Sequence, residues 1–178
     1  MSAPFDYQPH LSGERLDLRP VTAADWADLF AIGSDPEVWA VHPAPDRYQE
    51  PVFRAYFEDG LKSGGALVAI NRADGAIIGW SRYSALFTET GEIEIGWTFL
   101  GKAWWGGAYN GEMKRLMLDH AFRFVDRVIL RIGEHNLRSR RAAEKIGARL
   151  TQRTDVTTAG GVETTHLFYA IERDGSAP

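Results

Sequence analysis

Three features of this sequence could do chemistry: two glutamates two residues apart, a glycine-rich run at the head of a helix, and an asparagine one turn ahead of a serine. Glu92 and Glu94 alternate with Ile93 and Ile95, so on a strand both carboxylates share one face. They either line the solvent side of that strand, or one of them sits in a partly closed site that lifts its pKa toward neutrality and fits it to take a proton. The run Gly101-Lys-Ala-Trp-Trp-Gly106-Gly107-Ala-Tyr-Asn-Gly111 follows a strand pattern and opens a helix pattern. Unpaired N–H groups and the positive end of the helix dipole then converge where a phosphate would sit, although glycines at this place also serve a tight turn. Asn136 is a favoured helix N-cap, and Ser139 follows one turn later.

Two stronger nucleotide motifs are imitated and fail. Gly96-x-x-x-x-Gly101-Lys102 has Ala103 where a P-loop needs Ser or Thr for magnesium, and its middle reads as strand. Gly106-x-Ala108-x-x-Gly111 has the spacing of a dinucleotide fingerprint, but several antiparallel-looking strands precede it where that motif requires the first strand of a parallel unit. The chain has no cysteine, which excludes disulfides, thiolate metal sites and a thiol nucleophile. His10, His120, His135 and His166 are too dispersed to suggest a metal site, so no metal is expected.

At 178 residues, with 44% hydrophobic and 25% charged residues, the chain has the makeup of one globular domain with a real core. No apolar run approaches the ~20 residues of a membrane span, and the N-terminus lacks the basic start and apolar stretch of a secretory signal; a cytoplasmic location without membrane contact is expected. The net charge of −4 conceals an asymmetry: residues 1–60 hold eleven acids against four bases, and residues 127–153 hold eight bases against two acids. That basic stretch suits a solvated helix face or a small phosphorylated ligand; overall acidity argues against nucleic acid. The acidic first third is expected to favour a cationic partner molecule.

These groups need a frame. Alternation predicts strands over 15–20, 66–71, 76–86, 92–100, 127–132, 149–155 and 166–171, with Gly160-Gly161 turning the last hairpin. Helices are predicted after Thr22-Ala-Ala-Asp25, on Phe53, Tyr56, Phe57 and Leu61, on Met113 to Phe124, and from Asn136 to Ile146; residues 33–49 read as a loop carrying Trp39 and His42. The expected fold is a single α/β (α+β) domain over residues 11–173. It has one mixed, mostly antiparallel sheet of about seven strands flanked by four helices, and flexible termini at 1–10 and 174–178.

The order of elements, the segment Trp105-Gly106-Gly107-Ala108-Tyr109-Asn110-Gly111-Glu112 and the segment Asn136-Leu-Arg-Ser139-Arg-Arg-Ala-Ala-Glu-Lys-Ile-Gly147 resemble the GNAT superfamily of acyl-CoA N-acyltransferases. Ser34-Asp35-Pro36-Glu37-Val38-Trp39 with His42-Pro43 looks like the acceptor-side loop of its RimJ/RimL-like branch, the ribosomal-protein N-terminal acetyltransferases. The resemblance runs from about Glu14 to Arg173. It departs at Ala103, where the family's loop usually begins with Gln or Arg, and in the paired Trp104 and Trp105.

The resemblance implies acetyl-CoA as co-substrate, an amine acceptor and direct transfer in a ternary complex. Backbone N–H groups from Trp104 to Tyr109, with Asn110, would take the diphosphate. The edge of the 92–100 strand at Trp97, Thr98 and Phe99 would pair with pantetheine, a bulge there would present an N–H to the thioester carbonyl, and Asn136 would also touch pantetheine. Alignment of Glu94-Ile95-Gly96-Trp97 with the family's strand ranks Glu94 above Glu92 as base. Ser139 is a candidate proton donor to the thiolate, Arg138 and Arg141 are candidates for the ribose phosphate, and Trp39, His42 and Tyr83 for the acceptor wall, with Trp80 mainly core. A homodimer is a family-level expectation. A non-catalytic acyl-CoA-binding module and an RNA-binding protein are the competing readings.

Overall fold

The computed structural model describes residues 4–84 and 87–174. Eight strands form one sheet in the order β1-β2-β3-β4-β5-β6-β8-β7: β1 (Leu11–Ser12), β2 (Leu16–Pro20), β3 (Ala66–Asn71), β4 (Ile77–Ser84), β5 (Glu92–Leu100), β6 (Arg127–Gly133), β7 (Arg149–Ala159) and β8 (Val162–Glu172). Every neighbouring pair is antiparallel except β5 and β6. Among the described residues five α-helices accompany the sheet: α1 (Trp26–Gly33), α2 (Pro36–Trp39), α3 (Glu50–Ser63), α4 (Tyr109–Ala121) and α5 (Leu137–Lys145).

The period-2 pattern of the strands builds two cores, one on each face. Leu67 and Ala69 of β3 join Leu16, Ile93 and Ile95 under Met113 and Met117 of α4. Their neighbours Ala66 and Val68 point the other way, into an aromatic layer where Trp39, Phe53, Tyr56, Trp80 and Phe99 pack beneath α1 and α3. Thr22 and Asp25 meet as their spacing predicts, the Asp25 carboxylate accepting the Thr22 backbone N–H at 2.8 Å while Arg19 clamps it at 2.8 Å. Gly160 and Gly161 turn the last hairpin with φ of 58° and 79°, a left-handed pair that side chains resist.

The differences from the sequence reading are local. β1 is two residues long, too short to show a period, and raises the strand count to eight. A fifth helix, α2, interrupts the 33–49 loop; Asp35 accepts the Glu37 N–H at 2.9 Å and Pro36 opens the first turn, a start signal in a segment whose other prolines suggested loop. The lead-in expected to be flexible is packed from Phe5 onward: the Phe5 ring meets Tyr83 at 5.1 Å and Phe124 at 5.2 Å, and His120 Nε2 meets the Asp6 carbonyl at 2.8 Å. The last residues of the expected 76–86 strand and the end of the C-terminal tail lie outside the described residues.

Two irregularities of β5 create the site. On its β4 side the register slips between Trp80 and Arg82, where Trp97 adopts φ +52°, a left-handed conformation rare for a tryptophan. On its other side β5 pairs with β6 only over Glu92, Ile93 and Glu94; beyond Glu94 the parallel strands part. The Tyr56 hydroxyl secures the bulge, donating to the Trp97 carbonyl at 2.5 Å and accepting the Trp80 indole N–H at 2.7 Å. Tyr56→Phe strands both groups, and in urea denaturation it is expected to lower stability by about 1–3 kcal/mol.

Candidate active site

Where β5 and β6 separate, a cleft of about 860 Å³ opens between them and continues to the head of α4. At that head Gly101 to Trp104 make a single tight turn, and Gly106 takes φ +68° to bring the chain into α4. The Trp104 and Trp105 amides are consumed in that turn, donating to the Gly101 and Lys102 carbonyls at 3.0 and 3.1 Å. The sequence expectation that they would meet a diphosphate is corrected accordingly: past this turn, the backbone N–H groups of Gly106 to Gly111 have no partner among the described residues. Gly106, Gly107 and Asn110 line the cleft; Ala108 and Tyr109 do not.

The paired tryptophans do not fill this hollow. The Trp105 indole N–H donates to the Leu100 carbonyl at 2.8 Å, tying the turn to the end of β5, and Arg138 stacks on the Trp105 ring at 3.8 Å. Arg138, Arg141 and Lys145 face the cleft from α5 without a carboxylate partner among the described residues, an electropositive mouth beside the open amides. Other bases of this stretch are paired: Arg131 with Asp155 at 2.8 Å and Arg153 with Glu92 at 3.0 Å. Asn136 caps α5 as its type predicts, its Oδ1 accepting the Ser139 N–H at 3.3 Å, and both residues border the cleft.

The two glutamates share a face and have opposite fates. Neither lies on a solvent side. Glu92 is bound by Arg153 at 3.0 Å and Arg127 at 3.1 Å; burial alone would raise its pKa, but these hydrogen bonds hold the carboxyl below its usual range, so it stays ionised as an anchor between strands and is removed from the candidate bases. Glu94 is 3% exposed at the point where the strands part. Burial pushes its pKa up to about 7 against the partial opposition of Arg131, and its Oε2 has no hydrogen-bond partner among the described residues. A buried carboxyl whose pKa lies near neutrality, with one oxygen unsatisfied and bordering a cleft, has the properties that suit a general base.

The remaining predicted residues divide. Trp97, Thr98 and Phe99 border the cleft as expected, with Phe99 also anchored in the aromatic core. Trp39 borders it from the end of α2 and His42 from the α2–α3 connection; the Trp39 indole N–H donates to the Gly33 carbonyl at 2.7 Å. Tyr83 is corrected: it lies on the opposite face of the sheet, its hydroxyl donating to the Met117 carbonyl at 2.7 Å, and it is core. Trp80 is core as expected.

Lys114 escaped the sequence reading. It stands one residue after Met113 in a helix whose apolar face attracted notice, yet it is only 7% exposed, its ammonium aimed at Thr98 Oγ1 (2.6 Å) and Ser81 Oγ (3.1 Å) behind the bulge. No carboxylate reaches it among the described residues, and burial pushes its pKa down to about 7. Among the described residues no group of three or more His, Asp or Glu side chains is placed to hold a metal ion.

Comparison with known proteins decides the family. Residues 15–149 match the model of the acetyltransferase (GNAT) domain. The chain belongs to the GNAT acetyltransferase family. It is an acetyl-CoA-dependent acyltransferase, with the mixed sheet of that family. A GCN5-related N-acetyltransferase from Brucella melitensis superposes with a TM-score of 0.83 at 20% identity, over 96% of this chain and 81% of that one. A GNAT-family acetyltransferase from Bacillus anthracis gives 0.77 at 21% identity, over 92% and 98%. Mycobacterium smegmatis RimJ, solved with CoA-disulfide, gives 0.69 at 18% identity, over 92% and 87%. No curated protein matches the sequence. No helix among the described residues is long and apolar enough to cross a membrane.

The folded GNAT domain favours a neutral Lys114, while the unfolded chain holds its proton up to ~10.4. Unfolding therefore takes up a proton between about pH 7 and that value, and stability rises with pH across this window. Lys114→Met abolishes the linkage. Its advantage over wild type in thermal or urea unfolding is expected to be greatest near pH 7 and to shrink steadily toward pH 10.

Proposed function

We propose that this GNAT enzyme acetylates an amine by direct attack on acetyl-CoA within a ternary complex, with Glu94 as the base. The observation that carries the reading is Glu94 itself, a buried carboxyl with a pKa of about 7 and one unpartnered oxygen, at the fork between β5 and β6.

The open amides of Gly106 to Gly111 suit the diphosphate, since they have no partner among the described residues and lie at a helix N-terminus, with Gly106, Gly107, Asn110 and Gly111 bordering the cleft. Arg138, Arg141 and Lys145 are placed for the phosphates at the mouth. Among the described residues the edge of β5 beyond Glu94 has no strand partner on the β6 side, so pantetheine amides can pair with it as a strand would. That course brings the thioester toward Glu94 and the bulge. An attacking amine must be neutral, and Glu94 accepts its proton directly or through water. As the tetrahedral intermediate collapses, the C–S bond breaks and the leaving thiolate takes a proton; the Ser139 hydroxyl, which has no partner among the described residues, is available to supply it.

Acetyl-CoA at a hundred times its dissociation constant is expected to stabilise the protein by ~2.7 kcal/mol. In thiol-release assays over an amine panel, kcat/KM should climb with pH as Glu94 ionises around 7. Glu94→Gln should lower kcat by roughly 10²–10⁴ and flatten that limb, while acetyl-CoA affinity is retained. Gly106→Val forces a branched side chain into φ +68° and should chiefly weaken acetyl-CoA binding. Equal loss of turnover and coenzyme affinity in Glu94→Gln would remove it as the base.

A further inference from the structure

The acceptor end of the cleft brings two hydrogen-bond donors to within 3.4 Å of each other. His42 Nδ1 accepts the Ala44 backbone N–H at 3.0 Å, so that nitrogen carries no proton. Burial, reinforced by Arg47 and His166, drives the imidazole pKa down to about 3; the ring is neutral and its one proton sits on Nε2. Arg47 Nη1 lies 3.4 Å from that Nε2. A guanidinium has only donors, so this contact is donor against donor and is not a hydrogen bond.

Arg47 is also held in place. Its guanidinium stacks over Tyr56 at 4.1 Å and Trp39 at 5.1 Å, the same Tyr56 that holds the β5 bulge, and no carboxylate among the described residues forms an ion pair with it. The neighbouring Asp46 acts on it only through space, and burial still pulls its pKa down; an aromatic-lined guanidinium without a bonded counter-ion is costly unless a ligand brings one. The wider lining agrees. Among the described residues facing the cleft, Glu94 is the sole acid, against six Arg and Lys side chains. Among the described residues no acid of the first third of the chain faces the cleft: Asp25 is held by Arg19 at 2.8 Å, and Asp35 and Glu37 meet Lys102 at 3.9 and 2.6 Å. The sequence expectation of a cationic acceptor therefore does not follow from the charge that lines the cleft.

We propose that Arg47 and His42 form an anion subsite for the acceptor, so that the amine acetylated by this enzyme carries a carboxylate on the same small molecule, as an α-amino acid does. The inference rests on the acetyl-transfer reading above and names its substrate class. One carboxylate satisfies both converging donors, and the amine is left to point toward Glu94.

The test is thiol release from acetyl-CoA with a panel of free α-amino acids, their α-amides, the matching decarboxylated amines, and short peptides with N-terminal Asp or Glu. Acetyl-CoA binding is measured by calorimetry on the same samples. At least one free amino acid is expected to exceed its own amide and amine by about a hundredfold in kcat/KM. Arg47→Gln should erase that preference with acetyl-CoA affinity unchanged, and Arg47→Lys should restore only part of it because it lacks the planar fork. Amides or amines used as well as the acids, or acids not used at all, would overturn the subsite while acetyl-CoA binding upholds the acyltransferase. Turnover confined to the acidic peptides would overturn the small-molecule substrate in favour of a protein N-terminus. Absence of acetyl-CoA binding would instead strike the reading beneath both.

Discussion

β5 and β6 hydrogen-bond as parallel neighbours for three residues and then separate, and the rest of the molecule is arranged around that parting. A sheet that stayed paired to its end would have no free edge for a strand-like ligand and no cleft. The parting is sustained from both faces. Tyr56 locks the bulge at Trp97 from the aromatic side, and α4, the helix that begins at the glycine-rich turn, packs Met113 and Met117 on the other. Trp105 ties that turn back to Leu100, so the open amides are held in fixed relation to the end of β5.

Electrostatics follow from this geometry. Glu92 and Glu94 differ by one strand repeat, yet Glu92 lies where the strands are still paired and Arg127 and Arg153 close on it, whereas Glu94 lies at the last pair and faces the opening. One carboxyl is pinned in its charged form; the other is buried without a bonded cation and titrates near neutrality. A second group that burial brings near neutrality, Lys114, sits behind the same bulge, bonded to hydroxyls alone. The cleft thus holds ionisable groups whose charge at neutral pH depends on what occupies it.

Much of this was legible in residue order. Period-2 alternation located the main strands, and glycine with Asn136 punctuated the helices, because both signals are local. Leu11–Ser12 was invisible because two residues have no period, and Pro36–Trp39 was hidden by flanking prolines. At the site, the glycine turn, Glu94 and Asn136 could be singled out by type and spacing. Resemblance ranked Glu94 above Glu92, but the physical reason was beyond sequence, since it depends on arginines 35 and 61 residues from Glu92 that only the fold brings near. Tyr83 was misplaced for a related reason: β4 is buried on both faces, so an aromatic there gives no sign of which layer it joins. Lys114 and Arg47 had no signal at all. A lysine in an amphipathic helix and an arginine in a polar loop look solvated until their surroundings are known.

The most direct test of the central claim is a crystal structure with coenzyme A bound. The expected result places the diphosphate on the amides of Gly106 to Gly111 and runs pantetheine along the unpaired edge of β5, with the sulfur beside Glu94 and Ser139. Coenzyme bound elsewhere on the surface, with β5 and β6 paired along their full length, would contradict it.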